Sequence, residues 1–204
     1  MKAILSRIVS LVILFTLLIG VIFNPQLVTQ ATPEKEEATT LDAWNVEFIG
    51  QTGGAIEAVT LQSNYAYFGM GPRLIVLNIS NPASPTFVGK TQPFPGVIRD
   101  LTIAGDYAFV ADGDAGLRVV DISNPAYPVE IGYYDTPGFA YGVAVLGSYV
   151  YIADHDHGLR VVNILNPANP METGSYDTPG SAYGVAVLGS FVYIADHNKG
   201  LQVV

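Results

Sequence analysis

The hydrophobic pattern of the chain begins with a leader that differs from everything after it. Two basic residues precede an uncharged apolar run, Ile8–Phe23, whose 16 residues would form a helix of roughly 24 Å. A membrane-spanning helix needs about 20 residues, so this shorter run behind a charged start predicts a helical secretory signal peptide over residues 1–31, cleaved after Ala31. An uncleaved N-terminal anchor is the alternative. Either one exports the remaining chain, which predicts a secreted or cell-surface protein.

The rest of the chain shows short runs of alternating apolar and polar residues that end at turn-forming residues. Residues 32–44 are predicted to be an acidic, flexible spacer. Beyond it, one unit contains four runs typical of β-strands, the last of them more polar: Tyr141–Leu146, Tyr149–Ala153, Leu159–Ile164 and Met171–Tyr176. No apolar period of 3.6 residues occurs after the leader, so we expect an all-β domain over residues 45–204.

This unit is repeated along the chain. Gly116–His157 and Gly158–Lys199 are identical at 32 of 42 aligned positions, a weaker copy starts at Leu74, and a partial copy starts at Leu201. A period near 42 residues with four strands predicts a β-propeller built from four-stranded antiparallel blades, with the first strand of each nearest the axis. Side chains of the first two strands then fill the space between blades: Val143, Val145, Val150 and Ile152.

Composition and charge narrow the function. The 204 residues include 21 Gly, 13 Pro and 12 Tyr, which suits strands joined by tight turns. A formal net charge of −9 argues against nucleic acid as a partner and limits membrane contact to an uncleaved leader. The chain has no cysteine, which excludes a disulfide scaffold, a zinc ribbon, an iron–sulfur site and a cysteine nucleophile.

One strand of the unit resembles the motif for which the LVIVD-repeat family is named: it occurs at Leu74–Asn78, Leu117–Asp121 and Leu159–Asn163. An Asn-Pro-x-x-Pro segment follows each copy, and the resemblance covers residues 45–204. It implies a β-propeller and a bacterial or archaeal surface or secreted protein, but it supplies no catalytic residues to transfer. The aspartate of the motif is replaced in two copies, by Asn78 and Asn163.

Counting strands predicts about four blades. Asn45–Gln51 resembles a fourth strand, three complete sets of four follow, and the last copy reaches its third strand at Val204. If Asn45–Gln51 completed the last blade, a closed four-blade ring would result, but we favour a partial propeller. An open arc exposes apolar blade faces and strand edges, which predicts self-association.

The turns between second and third strands carry candidate metal ligands. They have the form Asp-x-Asp/Asn-x-Gly, which resembles the start of a calcium loop and supplies five acids: Asp112, Asp114, Asp154, Asp156 and Asp196. His155 and His197 occupy equivalent places in adjacent copies and are alternative ligands for zinc or copper. Calcium prefers about 6–8 oxygens, more than such a turn supplies, so we predict no cofactor, with calcium as the alternative.

Candidate ligand-binding residues come from the connections between blades, which lie on the same face of a propeller as these turns. Asp135 and Asp177 belong to two such connections, and Tyr141 and Tyr183 follow at strand starts. Aromatic rings at such places stack on a sugar or peptide, although burial of the two tyrosines is the alternative.

No sequence motif indicates an enzyme. The chain lacks His-Glu-x-x-His, Gly-x-Ser-x-Gly and P-loop motifs. The sequence therefore predicts a non-catalytic exported repeat scaffold that binds an unknown protein or carbohydrate through its loops. A metal-dependent hydrolase-like propeller is the alternative, and it requires the acids and histidines of adjacent loops to converge.

Overall fold

The computed structural model describes residues 56–204, which form four antiparallel β-sheets, here called blades 1 to 4. Blade 1 contains β1 (Val59–Gln62), β2 (Tyr65–Met70), β3 (Arg73–Asn78) and β4 (Thr86–Lys90). Blade 2 contains β5 (Asp100–Ala104), β6 (Tyr107–Ala111), β7 (Leu117–Asp121) and β8 (Val129–Tyr134). Blade 3 contains β9 (Gly142–Leu146), β10 (Tyr149–Ala153), β11 (Leu159–Asn163) and β12 (Met171–Tyr176). Blade 4 contains β13 (Gly184–Leu188), β14 (Phe191–Ala195) and β15 (Leu201–Val203).

The all-β prediction is confirmed for this part of the chain. Its helical content is one 3₁₀ turn, His197–Lys199, so among residues 56–204 no helix could span a membrane. The predicted third strand of the last copy is also confirmed, because Val203 pairs with Tyr193. The predicted signal peptide, the acidic spacer and the strand predicted at Asn45–Gln51 lie outside the described residues.

Strand order within each blade follows the chain, so every strand bonds to the next one in sequence. The first strands of successive blades lie side by side, β1 with β5, β5 with β9 and β9 with β13. This is the arrangement expected when first strands line the axis of a propeller. The described residues form a row of four blades, and a closed ring is not seen among them.

The hydrophobic core lies between blades rather than within any one of them. Each junction holds its own cluster of buried side chains, three clusters in all. At the junction of blades 2 and 3, Phe109, Leu117 and Val119 pack against Val143 and Ile152. The predicted packing of the first two strands is thereby confirmed. Because a β-strand alternates its faces, each blade needs a neighbour on both sides to bury its apolar residues.

Candidate binding site on the loop face

A buried aspartate fastens each connection between blades to the turn that follows it. Three side chains play this role, and all are fully buried. Their Oδ2 atoms accept a hydrogen bond from a glycine N–H, at 3.1, 2.9 and 2.9 Å, in the pairs Asp112–Gly96, Asp154–Gly138 and Asp196–Gly180. The turns and the connections therefore share one side of the blades, which we call the loop face.

The charge of these aspartates is balanced differently from blade to blade. Arg118 Nε lies 3.4 Å from Asp112 Oδ2, and Arg160 Nε lies 3.6 Å from Asp154 Oδ2. In blade 4 the Thr178 hydroxyl instead donates to Asp196 Oδ1 at 2.6 Å. A buried carboxylate needs such partners, because removal from water is costly for an ion.

Burial also controls the titration of two of these acids. Loss of hydration raises the pKa of Asp112 from 3.8 to about 6, although the Gly96 N–H and Arg118 favour the ionised form. Burial likewise raises the pKa of Asp154 above its ordinary value, against the opposing effects of Gly138 and Arg160. The shifts have a structural cause, because these carboxylates face the protein interior rather than solvent.

The other predicted acids are exposed. Asp156 Oδ1 lies 3.1 Å from His155 Nδ1 and accepts a hydrogen bond from the Ser181 hydroxyl at 2.8 Å. Asp114 is exposed on the corresponding turn of blade 2. Among residues 56–204, no three His, Asp or Glu side chains come together in a group that could hold a metal ion.

Asp135 and Asp177 lie beside arginines of their own blades. The Asp135 carboxylate is 3.4 Å from Arg118 Nη2, and that of Asp177 is 3.3 Å from Arg160 Nη2. Both acids are largely exposed, so these ion pairs are worth little by themselves. Their geometry directs the two carboxylates toward the arginines that also balance the buried aspartates.

Five rings on the loop face form one continuous group, which we call the aromatic row: Phe139, Tyr141, His155, Tyr183 and His197. The Tyr141 and Tyr183 centroids are 4.6 Å apart, and those of Phe139 and Tyr141 are 4.7 Å apart. His155 contacts both tyrosines, with its Nε2 atom 3.4 Å from the Tyr183 hydroxyl. Each of the five side chains keeps solvent-accessible surface, and the row crosses from blade 2 to blade 4.

A charged pair extends the row toward blade 1. Arg99 lies 42 residues before Tyr141 and packs its guanidinium 5.8 Å from the centre of that ring and 5.3 Å from the centre of Phe139. Arg99 also pairs with Glu57 at 2.7 Å, and Glu57 lies a further 42 residues earlier. One repeat position, just before each first strand, thus supplies Glu, Arg, Tyr and Tyr in turn. The sequence contained this signal in its spacing, but the differing residue types concealed it.

The two histidines of the row adopt a backbone conformation that side chains disfavour. His155 and His197 have φ values of +50° and +42°, in the left-handed region. Their equivalents in blades 1 and 2 are glycines, Gly71 and Gly113, with φ values of +56° and +57°. A side chain in this region costs about 1–2 kcal/mol, which glycine does not incur. Imidazoles are therefore present at two positions where glycine would suit the backbone better.

The repeated four-stranded sheets and their shared loop face define a propeller-like repeat protein. This chain belongs to the LVIVD repeat family, because the LVIVD repeat model matches residues 53–92, 95–136, 137–178 and 179–204. The resemblance inferred from the sequence is thereby confirmed. A comparison with curated proteins finds no match.

Solved structures of similar fold include two computationally designed proteins. The crystal structure of Ika4 matches with a TM-score of 0.61 at 12% identity, over 77% of this chain and 94% of Ika4. The crystal structure of Ika8 matches with a TM-score of 0.63 at 13% identity, over 78% of this chain and 49% of Ika8. The chain thus corresponds to about half the length of Ika8. At these identities the likeness concerns the fold alone.

Proposed function

We propose that the chain is an exported repeat scaffold, an arc of a propeller whose loop face binds a protein or glycan through the aromatic row. The observation that carries this proposal is the pair of histidines held at positive φ. A strained residue that persists when the other copies use glycine indicates a role for its side chain. Both imidazoles lie within about 5 Å of the Tyr183 ring centre, at 5.2 and 5.3 Å.

The chemistry of the row suits recognition by contact. Tyrosine and histidine combine an apolar ring with a polar tip, and such side chains are enriched where proteins bind partners. The stacked rings support one another, so a ligand need not order them on binding, which lowers the entropic cost. The rings lie at the starts of first strands, on the most rigidly held part of each blade.

The environment of the acids supports a binding role rather than a catalytic one. Asp112 and Asp154 are fully buried and already hydrogen-bonded to backbone, so they present no free carboxylate to a substrate. Asp135 and Asp177 pair with arginine. Export rests on the predicted leader, and the absence of a cofactor requirement, with calcium as the alternative, stays a prediction.

The test is binding of the purified protein to a glycan array and to a peptide display library. Tyr141→Ala and Tyr183→Ala should each reduce binding of any selected ligand at least tenfold, the effect of about 1.4 kcal/mol. Tyr127→Ala is the matched control, because Tyr127 is an exposed tyrosine in an Asn-Pro turn away from the row. Ligands bound equally by all three variants, or no ligand from either library, would overturn the proposal.

A further inference from the structure

The two ends of the row of blades expose apolar faces. Blade 4 turns one side of its sheet away from blade 3, and this end face contains Leu188, Phe191, Leu201 and Val203. Blade 1 turns one side away from blade 2, and this end face contains Val59, Leu61 and Phe87. Large exposed apolar residues gathered on one surface indicate an interaction site.

The repeat shows what the end face of blade 4 is built to contact. Leu201 is 65% exposed, whereas its equivalent in blade 3, Leu159, is 3% exposed. Leu159 belongs to the cluster at the junction of blades 3 and 4, where it meets the near face of blade 4. The two residues stand in nearly identical sequence, so the end face of blade 4 has the composition of a face that packs on another blade.

The end face of blade 1 carries the complementary surface. Val59 is 64% exposed, and its equivalent in blade 2, Leu101, is 5% exposed. Leu101 packs against blade 1 in the first junction cluster. At every junction in the described residues, the face represented by Leu159 meets the face represented by Leu101. One end of the chain therefore carries each half of such a junction.

We propose that a second copy of this chain docks its blade 1 end face onto the blade 4 end face of the first. The contact repeats the interior junctions, with apolar sheet faces packed side by side and first strands adjacent. It is heterologous, because two different surfaces meet, so copies join head to tail rather than through a twofold axis. This inference is independent of what the loop face binds.

The test uses charge reversal of one end face at a time, followed by mixing. Sedimentation should show the unaltered protein associating as its concentration rises. Leu201→Glu blocks only the blade 4 end, and Val59→Glu blocks only the blade 1 end, so each variant alone should be monomeric. Mixed in equal amounts, they should form a dimer that grows no further, because one intact junction remains and both outer ends are blocked.

Phe191→Glu and Leu61→Glu provide a second pair, and circular dichroism checks that each variant keeps its strands. Tyr127→Glu places the same charge on an exposed side chain outside both end faces and should leave association unchanged. A protein that stays monomeric at all concentrations would overturn the proposal, as would closure of one chain on itself. Variants that associate alone, or a mixture that stays monomeric, would also refute head-to-tail docking.

Discussion

Blades 1 and 3 make the same turn after their second strand with different side chains. The turn follows β2 in blade 1 as Gly69-Met70-Gly71 and β10 in blade 3 as Ala153-Asp154-His155. The backbone bonds correspond: Ile98 N–H donates to Gly71 O at 3.1 Å, and Ala182 N–H donates to His155 O at 2.9 Å. The difference teaches that strand pairing and these bonds set the path of the chain, while three positions in the turn are free to carry chemistry.

The two turns also divide the same space differently. A Cβ on Gly69 would lie 2.5 Å from Ile98 Cγ2, so the large Ile98 fills the place that a side chain at position 69 would need. Blade 3 has Ala153 and Ala182 at the equivalent positions, and both are fully buried. A small–large pair in one junction thus replaces a small–small pair in another.

The largest effect is expected from removing the buried acid that blade 1 lacks. Asp154→Ala should lower the free energy of unfolding by about 4 kcal/mol at neutral pH, because the Gly138 N–H loses its acceptor and Arg160 loses a buried partner. Urea denaturation measures the change. Asp156→Ala, in the same turn but exposed, is the control and should cost less than about 0.5 kcal/mol. Equal losses in both variants would contradict the structural role of Asp154.

The buried acids should also make stability depend on pH. An acid whose pKa is higher in the folded state binds its proton more tightly when folded, so unfolding becomes easier as the pH rises from about 4 to about 6. For Asp112, with a pKa of about 6 instead of 3.8, the decrease amounts to about 3 kcal/mol. Denaturation across this range should show the slope, and Asp112→Asn should flatten it. An unchanged slope in Asp112→Asn would assign it to other groups, such as Asp154, whose pKa is raised as well.

Exchanging the packing of the two turns should have a smaller effect. Gly69→Ala should cost about 2 kcal/mol, because the new methyl group overlaps Ile98. In an Ile98→Ala background, which reproduces the pair found in blade 3, the same substitution should cost at least about 1 kcal/mol less. A double-mutant cycle measured by urea denaturation gives this coupling. Additive effects would show that the two side chains do not compete for space.

Much of the fold could be predicted from sequence because the information is local. Val150 and Ile152 alternate along a run of strand-forming residues, Gly147 marks the turn before it, and a 42-residue repeat reproduces the pattern. The faces buried between blades follow from that alternation alone. These features require no knowledge of which residues meet across the molecule.

The site was less predictable because its contacts join distant residues. An acid in a glycine-containing turn is usually exposed, yet Asp112 is buried because the Gly96 N–H, 16 residues away, lies against it. Arg99 joins the aromatic row only because blades 2 and 3 place their first strands side by side. The residue types at positions 57 and 99 share nothing with tyrosine, so spacing alone connected them.

The smallest and most specific effect concerns the backbone at the third position of the turn. Replacing His155 by Gly relieves the positive φ but removes the ring contacts with Tyr141 and Tyr183, so the net change should stay within about 1 kcal/mol. His155→Ala removes the same contacts and keeps the unfavourable φ, so it should be about 1 kcal/mol less stable than His155→Gly. The reciprocal change, Gly71→Ala, should cost a similar amount, because φ is +56° there and a Cβ would meet no atom within 4 Å. Urea denaturation of the three variants separates backbone from ring. If the Ala and Gly variants at position 155 were equally stable, the backbone would relax when the ring is lost, and the histidine would then impose the left-handed conformation instead of tolerating it.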